Sequence, residues 1–369
     1  MDCGGGGASD SKHRLNQQSG EPQRPLKVRR IEEIREQREE AEVGEKLESM
    51  KNPPKPGLQR YLVAVEYIGT RFSGSQQQTN QRTAMGVLQD AFQKFVGQPV
   101  SIFCSSRTDA GVHALSNVCH VDVERISKRK PGEVLQPHEP LVVRRAVNHF
   151  LLKEGDITVV DVRSVPSDFH ARYKAQERTY YYRLLSGPEF LSTFERNRAW
   201  HVPEELNLQA MQEACKVLVG LHDFSSFRAA GCQANSPVRT LDELLVSDHA
   251  SAPYFLSSIE REPTNFGAWD SSTCADNPDA PNVSEIDSNG FCQKFGMRRG
   301  HRCLVVKARA RSFLYHQVRL LVGVLKCVGT GHLTVADVER ILNAKTVTAA
   351  SPMAPACGLY LGYVKYDLD

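Results

Sequence analysis

The spacing of apolar residues constrains this fold most, because it switches along the chain between the period of a strand and the period of a helix. In SNVCHVDV, Cys119 and Val121 alternate with polar residues, which predicts a half-buried strand. Residues 84–96 place apolar side chains three and four residues apart, which predicts a helix. The order strand, helix, strand, strand, helix, strand begins near residue 60, and a similar order recurs after about residue 178.

These elements predict an α+β fold of two ferredoxin-like halves. We expect one mixed, mainly antiparallel sheet, with helices packed on one face and a central cleft for the active site. The predicted strands occupy residues 61–67, 100–106, 116–123, 157–165, 178–185, 241–249, 304–313 and 358–366. The predicted helices occupy residues 84–96, 141–152, 205–219, 316–329 and 335–343, the last with Thr334 as its N-terminal cap.

Composition divides the chain into a folded body and two segments that differ from it. Residues 1–58 are predicted to form an N-terminal extension that is rich in glycine, serine and glutamine at its start and continues as a charged helix over residues 31–49. Residues 251–296 are acidic and have few large apolar residues, which predicts a loop insertion. The body is predicted to divide into an N-terminal half over residues 59–177 and a C-terminal half over residues 178–369.

Length, cysteine spacing and hydropathy exclude several classes of protein. A chain of 369 residues suits about two domains. The 10 cysteines include no C-x-x-C pair, which argues against a zinc ribbon or a thioredoxin-like site. No apolar stretch of about 18 residues occurs, so no membrane-spanning helix is expected, and MDCGGGGASDSKHR lacks the apolar core of a secretory signal. The expected location is the cytoplasm or the nucleus, with an organelle left open.

The segment SSRTDAGVHAL (residues 105–115) contains the strongest candidate site. It follows a predicted strand and brings together Arg107, Asp109 and His113. An arginine two residues away favours the ionised form of an aspartate, and Gly111 allows a tight turn that exposes the carboxylate. Such a carboxylate can act as a nucleophile or a general base. The residues alone also allow an ordinary turn with a surface ion pair, or Asp109 and His113 as metal ligands.

This segment is very similar to the catalytic loop of the TruA-type tRNA pseudouridine synthases. Further resemblances follow in the same order and together span about residues 60–366, apart from the acidic insertion. They are YIGTRFSG (67–74), VPSDFHARYKAQERTYYYR (165–183), LVGLHDFSSFRA (218–229), SFLYHQVRLLVG (312–323) and APACGLYL (354–361).

The resemblance implies an enzyme that isomerises uridine to pseudouridine in tRNA. The uracil would be flipped out of its stem, detached from C1′, turned and rejoined through C5. This reaction needs no redox change, so no cofactor and no metal are expected. The essential aspartate of the family matches Asp109, and the sequence leaves open whether it attacks C1′, adds to C6 or acts as a base on a glycal intermediate. The alternatives are a catalytically weak RNA-binding or chaperone protein on the same fold, and a hydrolase or metal enzyme built on Asp109.

Four other residues match positions with roles in the family. Arg107 matches an arginine that assists base flipping and orients the aspartate, and Arg319 matches one that pairs with the catalytic carboxylate. Tyr180 matches the tyrosine that stacks on the target base, and Leu359 matches an apolar residue that packs against the uracil. Each residue also has a structural interpretation, which is an ion pair or a helix-end position for the arginines and core packing for Tyr180 and Leu359.

Other residues in the matched motifs have no catalytic counterpart in the family. His113, His170 and His316 are expected to fix a loop or to contact tRNA phosphate. Tyr182 shares a strand face with Tyr180 and is expected to be a core residue.

The resemblance also implies the partners, which are tRNA and a second copy of the chain in a homodimer. The formal net charge is only +3, but the acidic insertion accounts for several of the acidic residues, so the body is more basic and suits a polyanion. Two positions depart from the family pattern. Ser75 replaces a usual tryptophan, which predicts altered tRNA docking, and Leu320 replaces a usual asparagine. The candidate phosphate contacts are Arg172, Lys174, Arg178, Arg183, Arg309 and Arg311.

Overall fold

The structure, a computed structural model, describes residues 57–127, 129–130, 132–249, 300–350 and 352–368. The predicted N-terminal extension, its charged helix and the predicted acidic insertion lie outside these residues, apart from residues 57 and 58. Ten strands occur in the described part: β1 (Leu58–Tyr67), β2 (Ile102–Cys104), β3 (His113–Glu124), β4 (Ile157–Val165), β5 (Glu177–Ser186), β6 (Trp200–Val202), β7 (Gly220–Asp223), β8 (Val238–His249), β9 (Arg302–Ala310) and β10 (Leu359–Lys365).

Five α-helices accompany the strands. They are α1 (Ala84–Val96), α2 (Pro140–Leu151), α3 (Leu208–Leu218), α4 (Gln317–Gly329) and α5 (Val335–Ala344). Side chains cap several of them. The Thr83 hydroxyl accepts from the Gly86 N–H at the start of α1, and Thr334 and Asp337 form a reciprocal capping box at the start of α5. The predicted role of Thr334 is confirmed.

All ten strands belong to one mixed, mainly antiparallel sheet. Eight of them follow the order β4-β1-β3-β10-β5-β9-β8-β7, while β2 pairs with β3 and β6 pairs with β5. Two pairings are parallel, β10 with β3 and β5 with β6. The last strand of the chain therefore lies between the strands of the first half and those of the second.

Buried apolar side chains form two main cores, one in each half of the chain. Phe92, on α1, and Val147, on α2, pack in the core of the first half. Met211, on α3, and Leu321, on α4, pack in the core of the second half. Tyr180, on the central strand β5, packs against both cores. The middle of the sheet is therefore where side chains from the two halves meet.

The predicted strands and helices within the described residues are confirmed, with two kinds of difference. The strand predicted over residues 100–106 is shorter, at Ile102–Cys104. The short strands β6 and β7, and three 3₁₀ turns, were not predicted, because three or four residues are too few to show a period. Within the described residues, no helix is both long and apolar enough to cross a bilayer.

Candidate active site

Asp109 lies in a tight turn between β2 and β3. The Val112 N–H donates to the Asp109 carbonyl oxygen at 3.1 Å and closes the turn. Gly111 is the third residue of the turn and has a φ of +79°, a conformation that residues with side chains rarely adopt. The Asp109 side chain is 29% exposed. The turn therefore presents a carboxylate that a ligand can reach.

Two basic side chains approach the same carboxylate oxygen of Asp109. His316 Nε2 lies 3.1 Å from Oδ2, and Arg319 Nη1 lies 3.6 Å from it. The first distance is that of a hydrogen bond, and the second is longer than one. His316 and Arg319 are only 14% and 12% exposed, so charges here interact more strongly than in a fully solvated pair. The histidine makes the closer contact, and the arginine adds a positive charge slightly farther away.

Arg319 is fixed by the segment that precedes β10. Its Nε donates to the Ala354 carbonyl oxygen at 2.8 Å, and the Ala354 N–H donates to the Arg319 carbonyl oxygen at 3.0 Å. The segment approaches α4 closely, because a side chain at Gly323 would meet the Pro352 carbonyl oxygen at 1.7 Å. The motifs SFLYHQVRLLVG and APACGLYL therefore meet at Arg319 and hold it beside Asp109.

Tyr180 contributes an aromatic ring from β5. Its ring meets that of Phe313 edge to face, with centroids 5.1 Å apart and an interplanar angle of 88°. Burial raises the pKa of the Tyr180 phenol; the charge of Arg178 lowers this pKa, and that of Asp109 raises it further. The phenol is therefore neutral near pH 7, and it lies within electrostatic reach of the carboxylate. The structure thus brings Asp109, Arg319 and Tyr180 together.

Arg107 and Leu359 occupy different surroundings. The Arg107 side chain is exposed on the loop that leads to Asp109. Leu359 is buried in the core of the second half, opposite Tyr182 in the register of β10 and β5. Tyr182 is also buried, and its hydroxyl donates to the Pro355 carbonyl oxygen at 2.7 Å. The roles of Arg107 and Leu359 toward a base stay predictions, and Tyr182 is a core residue, as its strand position predicts.

Buried, neutral hydrogen bonds fix the backbone just before the turn. Ser75 is fully buried. Its N–H donates to the Thr108 carbonyl oxygen at 3.0 Å, and its Oγ accepts from the Thr108 N–H at 2.8 Å. The Thr108 hydroxyl bonds to that of Tyr67 at 2.8 Å, and the Asn117 amide donates to the same Tyr67 oxygen at 3.1 Å. Asp109 therefore follows a segment that cannot shift without breaking buried hydrogen bonds, which are costly to leave unmade.

Ser75 and His316 are the two residues whose contacts sequence reasoning missed. The expectation that Ser75 alters tRNA docking stays a prediction; the structure adds that Ser75 is buried against the loop that presents Asp109. His316 was expected to fix a loop or contact phosphate, and the structure places it on the Asp109 carboxylate. Both lie inside recognisable motifs, which mark them as candidate residues but do not show which groups they contact.

His113 has both ring nitrogens engaged by backbone groups. Its Nδ1 accepts from the Gly69 N–H at 3.0 Å, and its Nε2 lies 3.1 Å from the carbonyl oxygens of Asn197 and Cys357. The ring is buried, and burial lowers its pKa. His113 therefore fixes the loop, as predicted for it, and neither nitrogen is free to join Asp109 as a metal ligand.

Several of the candidate phosphate contacts have partners within the protein, and their contact with phosphate stays a prediction. Arg183 forms a half-buried ion pair with Glu195 at 2.8 Å, and Arg309 pairs with Glu177 and Glu243. The Arg178 guanidinium donates to backbone carbonyl oxygens and to the hydroxyl of Ser106, on the loop that leads to Asp109.

Comparison with known proteins gives consistent matches. The family model described as tRNA pseudouridine synthase matches residues 63–174 and 214–367. A protein named tRNA pseudouridine synthase A from Xanthobacter autotrophicus is 37% identical over 309 residues, which cover 84% of this chain and 100% of that protein. Proteins of the same name from Parvibaculum lavamentivorans and Rhodospirillum centenum are 37% and 38% identical, over 84% and 82% of this chain and 100% and 98% of their own lengths.

Proposed function

The chain belongs to the tRNA pseudouridine synthase family, and from this premise we propose that it isomerises uridine to pseudouridine in tRNA with Asp109 as the essential carboxylate. The observation that supports this role is the position of Asp109. Its side chain is partly exposed in a fixed turn, with His316 and Arg319 on one carboxylate oxygen and Tyr180 within electrostatic reach.

The reaction breaks one glycosidic bond and forms another. The C1′–N1 bond of uridine breaks, the uracil turns, and a C1′–C5 bond forms; C5 loses a proton and N1 gains one, so no oxidant or reductant is required. A carboxylate can serve each of the three proposed routes, which are attack at C1′, addition at C6 and removal of a proton from a glycal intermediate. Both basic groups lie on Oδ2, which favours Oδ1 as the oxygen that meets the nucleotide.

We propose that the target base is flipped out of its stem to reach Asp109. Unstacking a base costs a few kcal/mol, and the protein must offset this cost with its own contacts. Tyr180 offers an aromatic surface for the extruded base. The exposed Arg107 lies on the loop that would enter the tRNA stem. Leu359 is proposed to pack against the uracil.

The strand order supports two ferredoxin-like halves, divided at about residue 178, with the site in a cleft between them. In the first half the order β4-β1-β3, with β2 on β3, is the order 4-1-3-2 of that fold. In the second half β10-β5-β9-β8 is the same order when the short strands β6 and β7 are left out of the count. Asp109 comes from the first half, and Tyr180 and Arg319 come from the second. Assembly as a homodimer, with one tRNA across both subunits, and a cytoplasmic or nuclear location remain proposals from the resemblance.

Purified protein incubated with an unmodified tRNA transcript tests the proposal. Pseudouridine is detected by mass spectrometry of the digested RNA, and binding is measured separately. We expect the wild-type protein to form pseudouridine and the Asp109→Ala variant to bind tRNA within several-fold of wild type without forming any. If the wild-type protein binds tRNA and forms no pseudouridine in any tRNA, the protein is a binding or chaperone protein. If the Asp109→Ala variant converts uridine at a normal rate, another residue is essential.

A further inference from the structure

His316 has a backbone conformation that is unusual for its residue type. It is the residue that precedes helix α4, and its φ of 60° and ψ of 9° place it in the left-handed region. Residues at this position normally have extended backbone and a side chain that accepts from the first turn of the helix. The His316 side chain makes no such capping bond. A non-glycine residue in this conformation is uncommon and has a cost.

The neighbouring residues hold His316 in that conformation. The Gln317 N–H donates to the Leu314 carbonyl oxygen at 3.0 Å, and the Gln317 side-chain oxygen accepts from the Leu314 N–H at 2.8 Å. The Leu320 N–H donates to the His316 carbonyl oxygen at 3.0 Å. The imidazole ring stacks on Tyr315, with centroids 3.8 Å apart. The backbone and the ring are therefore both fixed, and the ring is fixed with Nε2 toward Asp109.

Distances separate the contribution of His316 from that of Arg319. His316 Nε2 lies 3.1 Å from Asp109 Oδ2, within hydrogen-bond distance, whereas Arg319 Nη1 lies 3.6 Å away. The Nε of Arg319 is already engaged by Ala354. Of these two side chains, His316 thus makes the closer contact with the Asp109 carboxylate. A directional bond fixes the rotation of a carboxylate, which a charge at a longer distance does not.

We propose that His316 is a positioning residue for catalysis. Its Nε2–H donates to Oδ2 of Asp109, which sets the carboxylate rotamer and leaves Oδ1 directed at the flipped nucleotide. This inference rests on the proposed function of Asp109. Because His316 acts on the carboxylate and not on the RNA backbone, its loss lowers kcat and leaves tRNA affinity nearly unchanged.

Two substitutions separate this role from a role in the turn. The amide nitrogen of glutamine reaches about as far along the side chain as Nε2 of histidine, whereas that of asparagine reaches only as far as Nδ1. Asparagine, however, tolerates the left-handed conformation better than glutamine or histidine. Donation to Asp109 therefore predicts that His316→Gln is the more active variant, while a role in the turn predicts that His316→Asn is the more active and the more stable one.

We expect His316→Asn to lower kcat by about ten-fold or more, the size of effect that a hydrogen bond to a charged group has, with the Kd for tRNA within about three-fold of wild type. We expect His316→Gln to retain kcat within about three-fold of wild type, although its thermal midpoint is equal to or lower than that of His316→Asn. Single-turnover kinetics, tRNA binding and thermal denaturation measure these quantities on the full chain.

A matched control uses a second left-handed residue. Lys345, which follows α5, has a φ of 51°, and Lys345→Asn should be as active and at least as stable as wild type.

The proposal is overturned if His316→Asn retains kcat while His316→Gln loses it, if both variants lose it equally, or if both retain it. Asp109→Ala in the same assay separates the two hypotheses. Loss in Asp109→Ala with full activity in both His316 variants rejects the positioning role alone, whereas a wild-type protein that forms no pseudouridine rejects the proposed function.

Discussion

The two segments that meet at Asp109 are built in different ways. The loop from the first half is fixed by neutral groups, with Ser75 and Tyr67 bonded to Thr108. The start of α4, from the second half, contributes the basic groups of His316 and Arg319. The first segment fixes the backbone just before Asp109, and the second places two basic side chains beside its carboxylate. Changes in the second should therefore affect turnover most, and changes in the first should affect stability most.

The largest effect is expected at the carboxylate itself. Asp109→Asn keeps the shape of the side chain and an oxygen that can accept from His316, but it removes the negative charge and the reactivity. We expect kcat to fall by more than about 1,000-fold, with the free energy of unfolding within about 1 kcal/mol of wild type. Single-turnover kinetics and urea unfolding measure the two quantities. Asp90→Asn, an exposed aspartate on α1, is the matched control and should be fully active.

Arg319 should have the next largest effect. Arg319→Leu removes the positive charge beside Asp109, and we expect kcat to fall by about 100-fold, a larger loss than from removing His316. Arg319→Lys keeps the charge but cannot reproduce the bond from Nε to the Ala354 carbonyl oxygen, so we expect a loss of about ten-fold. If lysine were as good as arginine, the link to Ala354 would have no part in placing the charge.

Tyr180, on β5, tests whether the second half of the chain also binds the base. Tyr180→Phe keeps the aromatic surface, and we expect kcat/KM within about three-fold of wild type, whereas Tyr180→Leu should lose about ten-fold or more, since base stacking contributes about 1–3 kcal/mol. Kinetics at subsaturating tRNA measure the ratio. Equal losses in the two variants would assign the effect to the hydroxyl group and contradict stacking.

Ser75 should show the opposite balance of effects. Ser75→Ala removes the acceptor of the buried Thr108 N–H, and we expect the free energy of unfolding to fall by about 1–3 kcal/mol with only a small loss of kcat. Ser73→Ala is the matched control, because the Ser73 hydroxyl bonds to Gln81 at an exposed site; we expect a change of about 0.5 kcal/mol or less. A loss of kcat at Ser75 as large as at Arg319 would contradict the expectation that the first segment affects mainly stability and the second mainly turnover.

Much of this organisation could be predicted from sequence, and the failures have physical causes. Periodicity predicts the long strands and helices because one face of each is buried, and the motifs predict that Asp109, Arg319 and Tyr180 come together. The contact of His316 could not be predicted, because it depends on a left-handed backbone at a position where that conformation is rare. The contact of Ser75 depends on a loop that folds back on residues 33 positions away, which no local pattern shows.

A buried histidine pair in the first half gives the smallest expected effect on turnover and a clear effect on stability. His120 and His170 lie 4.6 Å apart, centroid to centroid, and both are buried. Burial, together with the charge of Arg60, lowers the pKa of His120 to about 3 and that of His170 to about 4. Both are neutral at pH 7. In the unfolded chain they take up protons below about pH 6.5, so the folded state loses stability as the pH falls from 6.5 toward 4.

His120→Asn tests this pH dependence. Its amide oxygen can replace Nδ1 as the acceptor of the Ala171 N–H, but it cannot take up a proton. We expect wild type to lose about 2 kcal/mol more than this variant between pH 7 and pH 5 in urea unfolding, with equal turnover at pH 7. The carboxylates titrate alike in both proteins, so the difference isolates the histidine. Equal losses would show that His120 stays neutral in the unfolded chain or is charged in the folded protein. A loss of turnover at pH 7 would show that the buried neutral groups of the first half also affect the geometry of the Asp109 carboxylate.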